Sequence, residues 1–153
     1  MATKVADRLL LDTNIYLAAT DEGRAEHRRA ISALDTWPAS GTALYTCGQV
    51  LREYLSVATR PAAANGLGMP PADAVANVRA LRSRLRFLAE TDKAVEQLLD
   101  LLDGVECTGK QVHDANLVAI MLAHGIDTIV TMNAEDFMRF SDRISVVSLD
   151  SVS

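Results

Sequence analysis

The sequence predicts one α/β domain spanning residues 1–153, a three-layer α/β/α sandwich around a mostly parallel central sheet of about five strands. Short apolar runs of strand type alternate with helical patterns along the chain, which is typical of this architecture. No repeat, low-complexity tract or interdomain linker divides the sequence. At 153 residues and 49% hydrophobic content, the chain is long enough to bury a single core.

The first strand is expected to end with the leucine run at residues 9–11. Three consecutive leucines bounded by charge lack helical spacing and indicate a strand that is buried on both faces. Asp12 follows directly, and the carboxyl end of a buried first strand is where open α/β sheets bind their ligands. A second interpretation is that Asp12 only caps a helix. Thr13 and Asn14 offer polar groups that can cap the next helix or orient the acid.

Five helices are predicted from apolar residues that recur every three or four positions. They cover residues 22–34, 48–59, 71–82, 91–102 and 111–124, and a short helical turn covers 133–137. Trp37-Pro38 is expected to end the first helix, and Gly125 to stop the last in the left-handed capping position. Ile31 on the first helix and Val95 and Leu99 on the fourth are expected on apolar sides.

Four further strands are predicted between these helices. Each is a short run in which branched apolar and aromatic residues are enriched, as is typical of strands. They cover residues 43–46, 85–89, 128–132 and 144–149. Because strands and helices alternate, most neighbouring strands are expected to run parallel.

The composition excludes several classes of protein. The longest strongly apolar stretch, residues 117–123, is far shorter than the ~20 residues of a membrane span, so no membrane association is expected. The N-terminus reaches charged residues before any long apolar run, so we expect no signal peptide. Cys47 and Cys107 form no C-x-x-C pair, which favours a reduced protein in the cytoplasm. The three histidines lack H-x-x-x-H spacing, so a zinc site of the usual type is unsupported.

Arginine is concentrated in one segment of an otherwise acidic chain. The net charge is −5, but residues 52–86 contain six arginines against two acids. Arginine binds phosphate in a bidentate fork and stacks on bases, so this bias suits a nucleic-acid substrate. The alternative is a solvated helix face. The candidates for substrate contacts are Arg52, Arg60, Arg79 and Arg82.

Two acids fall on or beside the apolar faces of predicted helices. Asp114, in the first turn of helix 111–124, shares its face with Leu117 and Met121. A buried ionised acid costs several kcal/mol unless a partner is present, so Asp114 needs either the helix N-terminus or a cation. Glu53 borders the apolar stripe of helix 48–59. The alternative interpretation of Glu53 is an exposed acid paired with Arg52 or Arg60.

The fourth strand also ends in oxygen-bearing side chains. Thr131 and Asn133 lie at its carboxyl end, and Asp136 follows three residues later, as in a capping box with aspartate instead of glutamate. This turn therefore has a structural explanation of its own. If strands one and four are neighbours, it also brings oxygen ligands to the edge where Asp12 emerges.

Together, Asp12, Glu53, Asp114 and Asp136 are four acids on different elements. Two unit charges ~4 Å apart repel by ~4 kcal/mol at an effective dielectric of ~20, so a cluster needs protons or cations. Oxygen ligands without histidine or cysteine favour Mg²⁺ or Mn²⁺. Such ions can generate a hydroxide and stabilise an in-line displacement at phosphorus. No Ser-His-Asp or Cys-His arrangement supports nucleophilic acyl chemistry.

With these acids in place, the chain resembles a PIN domain, and within that superfamily it is similar to the VapC ribonuclease toxins. The resemblance extends over about residues 8–149, nearly the whole chain. Its motifs are Leu10-Leu11-Asp12-Thr13-Asn14, Val50-Leu51-Arg52-Glu53-Tyr54, Val112-His113-Asp114-Ala115-Asn116-Leu117 and Thr131-Met132-Asn133-Ala134-Glu135-Asp136-Phe137. The Ala58-Thr59-Arg60-Pro61 segment and the compact length favour the toxin branch.

The resemblance implies endonucleolytic cleavage of RNA that depends on Mg²⁺ or Mn²⁺. Asp12, Glu53 and Asp114 would hold the ions, which orient and deprotonate water. The family often has an aspartate where this chain has Asn133, a neutral ligand. Asp136 is the candidate that supplies the missing charge and completes the catalytic, metal-holding set.

The resemblance also implies residues that orient the acids, and it implies partners. The orienting residues would be Asn14, Thr131 and Asn133. The partners would be a second copy in a homodimer and a VapB-type antitoxin whose tail occupies the groove. Two other functions stay open. One is a PIN-like nuclease that acts in RNA processing or on structured DNA without an antitoxin. The other is a binding module without catalysis, which the neutral Asn133 permits.

Overall fold

A computed structural model describes residues 5–152. Its five strands form one sheet in the order β3-β2-β1-β4-β5, and every neighbouring pair is parallel. The strands are β1 (Arg8–Leu11), β2 (Ala43–Cys47), β3 (Arg86–Leu88), β4 (Thr128–Thr131) and β5 (Ser145–Ser148). The predicted parallel sheet of about five strands is thus confirmed. Residues 1–4, on which the expectation of no signal peptide partly rests, lie outside the described residues.

The helices form two packed groups. The first contains α1 to α4, in which α1 contacts α2 and α3, and α3 contacts α4, whereas α5 packs on α6. Their bounds are α1 (Thr13–Thr20), α2 (His27–Ala39), α3 (Gly48–Thr59), α4 (Pro71–Arg82), α5 (Asp92–Gly104) and α6 (Lys110–Ala123). Three short 3₁₀ segments cover Ala62–Ala64, Ala134–Phe140 and Leu149–Ser151. None of the helices within residues 5–152 is long and apolar enough to cross a membrane.

The middle strand explains why the sheet is covered on both sides. Leu9, Leu10 and Leu11 of β1 have no exposed surface. Successive residues of a strand point to opposite faces, so complete burial of all three requires a layer of helices on each face. The leucine run therefore fixes β1 at the centre, and with it the position of Asp12 at the middle of the carboxyl edge.

One helix was not predicted. α1 begins directly after Asp12 and ends at Thr20, before the segment where the first helix was expected. Five of its residues, Thr13 and Ile15 to Ala18, are buried. A helix that is apolar on most sides lacks the one-sided periodicity by which surface helices are recognised, which is why the pattern did not reveal it. The predicted helix at 22–34 instead begins at His27.

The prediction that Trp37-Pro38 ends that helix was wrong, because α2 continues through Pro38 to Ala39. Proline inside a helix leaves the carbonyl four residues earlier without its usual donor. That carbonyl belongs to Leu34, and Nη2 of Arg84 donates to it at 2.8 Å. A side chain from a distant segment thus supplies the missing hydrogen bond.

Three apolar side chains expected to face the core are exposed. Ile31, Val95 and Leu99 keep 37%, 45% and 58% of their surface accessible. On α5 the buried positions are Ala94 and Leu101, so the helix packs through a narrower stripe than its apolar pattern indicated. Gly125, by contrast, has the positive φ of 71° that was predicted for the residue that stops α6.

Candidate active site

The sheet order brings Asp12 and Thr131 together, because β1 and β4 are hydrogen-bonded neighbours. The backbone N–H of Asp12 donates to the carbonyl of Val130 at 3.0 Å. The hydroxyl of Thr131, which is completely buried, donates to Oδ2 of Asp12 at 2.8 Å. Strands one and four are therefore adjacent, which is the arrangement needed to bring the side chains of both strand ends together.

Asp12 also caps α1, as the second interpretation of this residue expected. Its Oδ1 accepts the backbone N–H of Thr13 at 2.8 Å. Burial raises the pKa of Asp12 above its ordinary value, and the charges of Glu53 and Asp136 add to this rise. Hydrogen bonds from Thr131 and Thr13 lower the pKa, but they do not cancel the effect of burial. The protein neighbours of Asp12 thus compensate the negative charge of its carboxylate form only in part.

Thr13 links Asp12 to Glu53. While its backbone binds Asp12, its hydroxyl donates to Oε2 of Glu53 at 2.8 Å. The other carboxylate oxygen of Glu53 accepts a hydrogen bond from Nε2 of Gln49 at 3.2 Å. Among the described residues, Glu53 forms no ion pair with Arg52 or Arg60, so it is held in the site rather than as a surface acid.

Gln49 joins α3 to α6. In addition to Glu53, its Nε2 donates to the carbonyl of His113 at 2.9 Å. Its Oε1 accepts a hydrogen bond from Nδ2 of Asn116 at 2.8 Å. Gln49 is only 8% exposed, so this network is shielded from water. It sets the position of Glu53 relative to the helix turn that contains Asp114.

Asp114 is half-buried and lies among the charges of the other three acids. Desolvation, followed by the charges of Asp136, Asp12 and Glu53 in that order, raises the pKa of its carboxyl to about 6. The charge of Arg139 has the opposite effect. No residue in the described range donates a hydrogen bond to its carboxylate. Asp114 therefore has a strong electrostatic reason to accept a cation.

Asp136 is exposed on the 3₁₀ segment Ala134–Phe140, and it does not form the capping box that was expected. Asn133 makes no side-chain capping bond to this segment. Its backbone N–H instead donates to the hydroxyl of Thr131 at 3.0 Å. The carboxylate of Asp136 therefore has no capping role, yet its charge acts on both Asp12 and Asp114.

Of the predicted orienting residues, Asn14 and Thr131 contact Asp12 through their side chains. Nδ2 of Asn14 lies 3.4 Å from both Oδ2 of Asp12 and Oγ1 of Thr131, and its Oδ1 accepts the N–H of Met132 at 3.2 Å. These bonds connect the start of α1 to the end of β4. Asn133 takes part only through its backbone, and its side chain is not among the hydrogen-bonded groups.

The four acids interact but do not form a preassembled metal site. Within residues 5–152, no three acidic, histidine or cysteine side chains are close enough together to hold an ion as they stand. Asp114 and Asp136 can rotate without breaking a side-chain hydrogen bond, whereas Asp12 and Glu53 are fixed by theirs. All available ligands are oxygens, which fits Mg²⁺ or Mn²⁺ rather than a softer metal.

Three of the predicted substrate arginines lie on α3 or α4, and Arg60 lies at the end of α3. Arg52, Arg79 and Arg82 are exposed and form no ion pair with any residue in 5–152. Arg60 follows α3, seven residues or roughly 10 Å along the helix from Glu53. Its carbonyl accepts the N–H of Gly68 and closes a loop, which gives Arg60 a structural role.

Sequence reasoning missed three residues of this site: Gln49, Asn116 and Arg139. The spacing of Gln49 and Glu53, four positions apart on a predicted helix, was the signal that could have indicated their contact. Asn116 is visible only once α3 and α6 are placed side by side. Arg139 has a buried Nε without a partner and opposes the acidic charge at Asp114, which no local pattern shows.

Comparisons with known proteins identify the family of this chain. A family model for the PIN domain matches residues 9–142. Ribonuclease VapC48 of Mycobacterium tuberculosis is 30% identical over 131 residues, which cover 84% of this chain and 89% of that protein. The match to the family model spans all four segments that carry the acids.

Solved structures share the fold at lower identity. VapBC2 from Rickettsia felis, bound to a DNA fragment from its promoter, gives a TM-score of 0.66 at 16% identity and covers 92% of this chain and 98% of that one. VapC20 of M. tuberculosis, a sarcin-ricin loop cleaving toxin, gives a TM-score of 0.62 at 21% identity and covers 89% of this chain and 95% of that one. FitAcB from Neisseria gonorrhoeae gives a TM-score of 0.66 at 16% identity and covers 92% of this chain and 97% of that one. The chain belongs to the PIN domain family, within its VapC branch.

Proposed function

We propose that this protein is an endoribonuclease that depends on Mg²⁺ or Mn²⁺ and acts as the toxin of a toxin–antitoxin pair in the cytoplasm. The observation that carries the proposal is the convergence of Asp12, Glu53, Asp114 and Asp136 at the carboxyl edge of β1 and β4. The relationship to ribonuclease VapC48 supports RNA as the substrate.

The metal ions would be held by these four carboxylates. Burial and mutual repulsion raise the pKa of Asp12, and they raise that of Asp114 to about 6. A bound cation would relieve this repulsion. A bound ion of this kind supplies a water of lowered pKa and stabilises negative charge at phosphorus. Asp12 and Glu53 provide the fixed ligands, and Asp114 and Asp136 the adjustable ones.

The remaining residues of the site maintain the ligands in their charged form and orientation. Thr131 and Thr13 donate to Asp12, and both hydrogen bonds favour its carboxylate form. Gln49 and Thr13 take one oxygen each of Glu53 and so fix its rotamer. Partners of this kind typically change metal affinity or activity 10- to 100-fold when removed.

The partners proposed are an antitoxin and a second copy of the chain. Complexes of VapB with VapC have the same fold in the toxin subunit, as in Rickettsia felis and Salmonella typhimurium. An antitoxin segment with basic side chains would suit the acidic edge. Val95 and Leu99 leave an apolar surface on α5 that a homodimer could cover.

The test is RNA cleavage by the purified protein with Mn²⁺ or Mg²⁺ and with a chelator. Asp12→Asn and Asp114→Asn should abolish cleavage and growth arrest, whereas Glu135→Gln, an exposed acid beside Asp136, should leave both intact. Cleavage without growth arrest would favour an RNA-processing nuclease. RNA binding without metal-dependent turnover would favour a non-catalytic module and would overturn the proposal.

A further inference from the structure

We infer that Phe87, Arg82 and Arg52 form a subsite that stacks an unpaired base of the RNA strand and holds a phosphate next to it. This group is called the Phe87 platform below. The inference rests on the proposed nuclease function and deepens it, because it states that the substrate is single-stranded beside the cleavage site.

The ring of Phe87 is held in place but open. β3 is an edge strand and pairs only with β2, where Phe87 lies opposite Thr46. The next residue, Leu88, is buried and anchors the strand, while Phe87 itself keeps 47% of its surface accessible. The guanidinium carbon of Arg82 lies over the ring, 5.2 Å from its centre. The charge of Arg82 thus lies over an exposed aromatic ring, and aromatic side chains of this kind are surfaces on which bases stack.

Arg52 reaches the same place from α3. A β-carbon placed on Gly48 would lie 3.1 Å from Nη1 of Arg52 and 4.0 Å from Cζ of Phe87. The guanidinium of Arg52 and the tip of the ring therefore flank one point at the start of α3. Glycine at this position leaves room for both, since any side chain would press against the guanidinium.

The two arginines have charge available for a phosphate. Within residues 5–152, neither Arg52 nor Arg82 forms an ion pair, whereas Arg84, close by in sequence, is paired with Asp35. Unpaired guanidinium groups bind phosphate in a bidentate manner and also stack on bases. A protein partner would need acidic groups to match these charges, whereas a nucleic-acid strand offers a phosphate and a base at every step.

The platform lies within reach of the acids. The strands β1, β2 and β3 are consecutive in the sheet, so Phe87 is two strand spacings, ~10 Å, from the strand that ends at Asp12. Arg52 precedes Glu53 in sequence, and on a helix the two side chains diverge by about 100°. An RNA strand bound at the acids would therefore pass from the face of α3 that carries Glu53 to the neighbouring face, where the platform lies. Stacking on a protein ring requires a base that is unpaired and turned out, which excludes a continuous duplex here.

Binding to short oligoribonucleotides tests the inference, with Asp12→Asn as the background so that no cleavage occurs. Phe87→Ala should weaken binding of a single-stranded oligomer about tenfold and leave an abasic oligomer of the same length unaffected. Phe87→Tyr should retain binding. Arg52→Gln and Arg82→Gln should weaken both oligomers and should each reduce the salt dependence by about one phosphate contact.

Matched controls are Ile31→Ala for an exposed apolar side chain and Arg28→Gln for an exposed arginine, both on α2. Neither should change binding of either oligomer. A Phe87→Trp variant gives a direct readout, because its added fluorescence should be quenched by the base-containing oligomer and not by the abasic one.

Equal affinity of Phe87→Ala and its parent for the single-stranded oligomer would overturn the platform while leaving the proposed nuclease intact. A change in oligomeric mass or antitoxin affinity without a change in RNA binding would also overturn it, because the ring would then be a protein contact. If the wild-type protein does not cleave RNA, the proposed function is contradicted. The binding comparison would still show whether Phe87 contributes to RNA binding.

Discussion

The hydroxyl of Thr131 lies 2.8 Å from Oδ2 of Asp12, although the two residues are 119 positions apart in the chain. The contact exists because β1 and β4 are neighbours in the sheet. The hydroxyl of Thr131 acts as donor and acceptor at once, since its oxygen also accepts the backbone N–H of Asn133. One buried hydroxyl thus orients the acid and holds the turn that carries Asp136.

Thr131→Val should lower RNA cleavage about tenfold and destabilise the protein by roughly 1–2 kcal/mol, because it keeps the shape and removes a buried donor and acceptor. The pKa of Asp12 should rise further once the donor is gone, so the acidic limb of the rate profile should move to higher pH. Thr128→Val, on the same strand but away from the acids, is the control. Thr131→Ser should restore activity in large part, and an unchanged rate in Thr131→Val would contradict the proposed orienting role.

Gln49→Leu should reduce turnover by roughly 10- to 100-fold. The substitution removes the donor to Glu53 and leaves the carbonyl of His113 without its partner, so stability should also fall by roughly 1–3 kcal/mol. Single-turnover kinetics would separate the rate effect from loss of folded protein. Gln97→Leu on α5 is the matched control. Normal turnover by folded Gln49→Leu would show that Glu53 needs no positioning.

Mn²⁺ should raise the melting temperature of the metal-free protein, because an ion that binds only the folded state stabilises it by mass action. Asp114→Asn should melt at a higher temperature than the wild type without metal and should respond less to Mn²⁺. Asp142→Asn, an exposed acid elsewhere, should behave as wild type. The absence of a shift in the wild type would argue against an acidic metal site.

The metal-free protein should lose stability as the pH rises from about 4 to above 6. Asp114 titrates at an ordinary value of 3.8 when unfolded and at about 6 when folded, so the folded state binds its proton more tightly. Stability from protonation is therefore complete below pH 4 and disappears as the pH passes 6. Because Asp114 is partly exposed, the effect should amount to only about 1 kcal/mol. Chemical denaturation across this range should show a flatter profile for Asp114→Asn, and identical profiles would contradict the prediction.

Asp136→Asn should weaken Mn²⁺ binding more than Asn133→Ala does, since the charge of Asp136 acts on Asp12 and Asp114 while the side chain of Asn133 forms no bond. Isothermal titration with Mn²⁺ measures the difference. Glu135→Gln controls for loss of a neighbouring negative charge. The opposite ranking would assign the fourth ligand to Asn133.

Much of the fold could be predicted because its signals are local. The leucine run at 9–11 identified a doubly buried strand, and Gly125 marked the end of α6 through its positive φ. α1 escaped prediction because its burial on most sides erases helical periodicity. The continuation of α2 through Pro38 depends on Arg84, about fifty residues away, and no neighbouring residue signals it.

For the candidate site, the sequence by itself determined which acids the chain carries and that each lies at a strand end or beside a buried helix face. Those properties follow from periodicity and strand ends, which neighbouring residues encode. Only the tertiary structure decided that β1 lies next to β4, that Thr13 joins Asp12 to Glu53, and that Gln49 ties α3 to α6. Hydrogen bonds and Coulomb forces act over a few ångströms in space irrespective of chain separation, so these relationships exist only once the sheet has set its strand order.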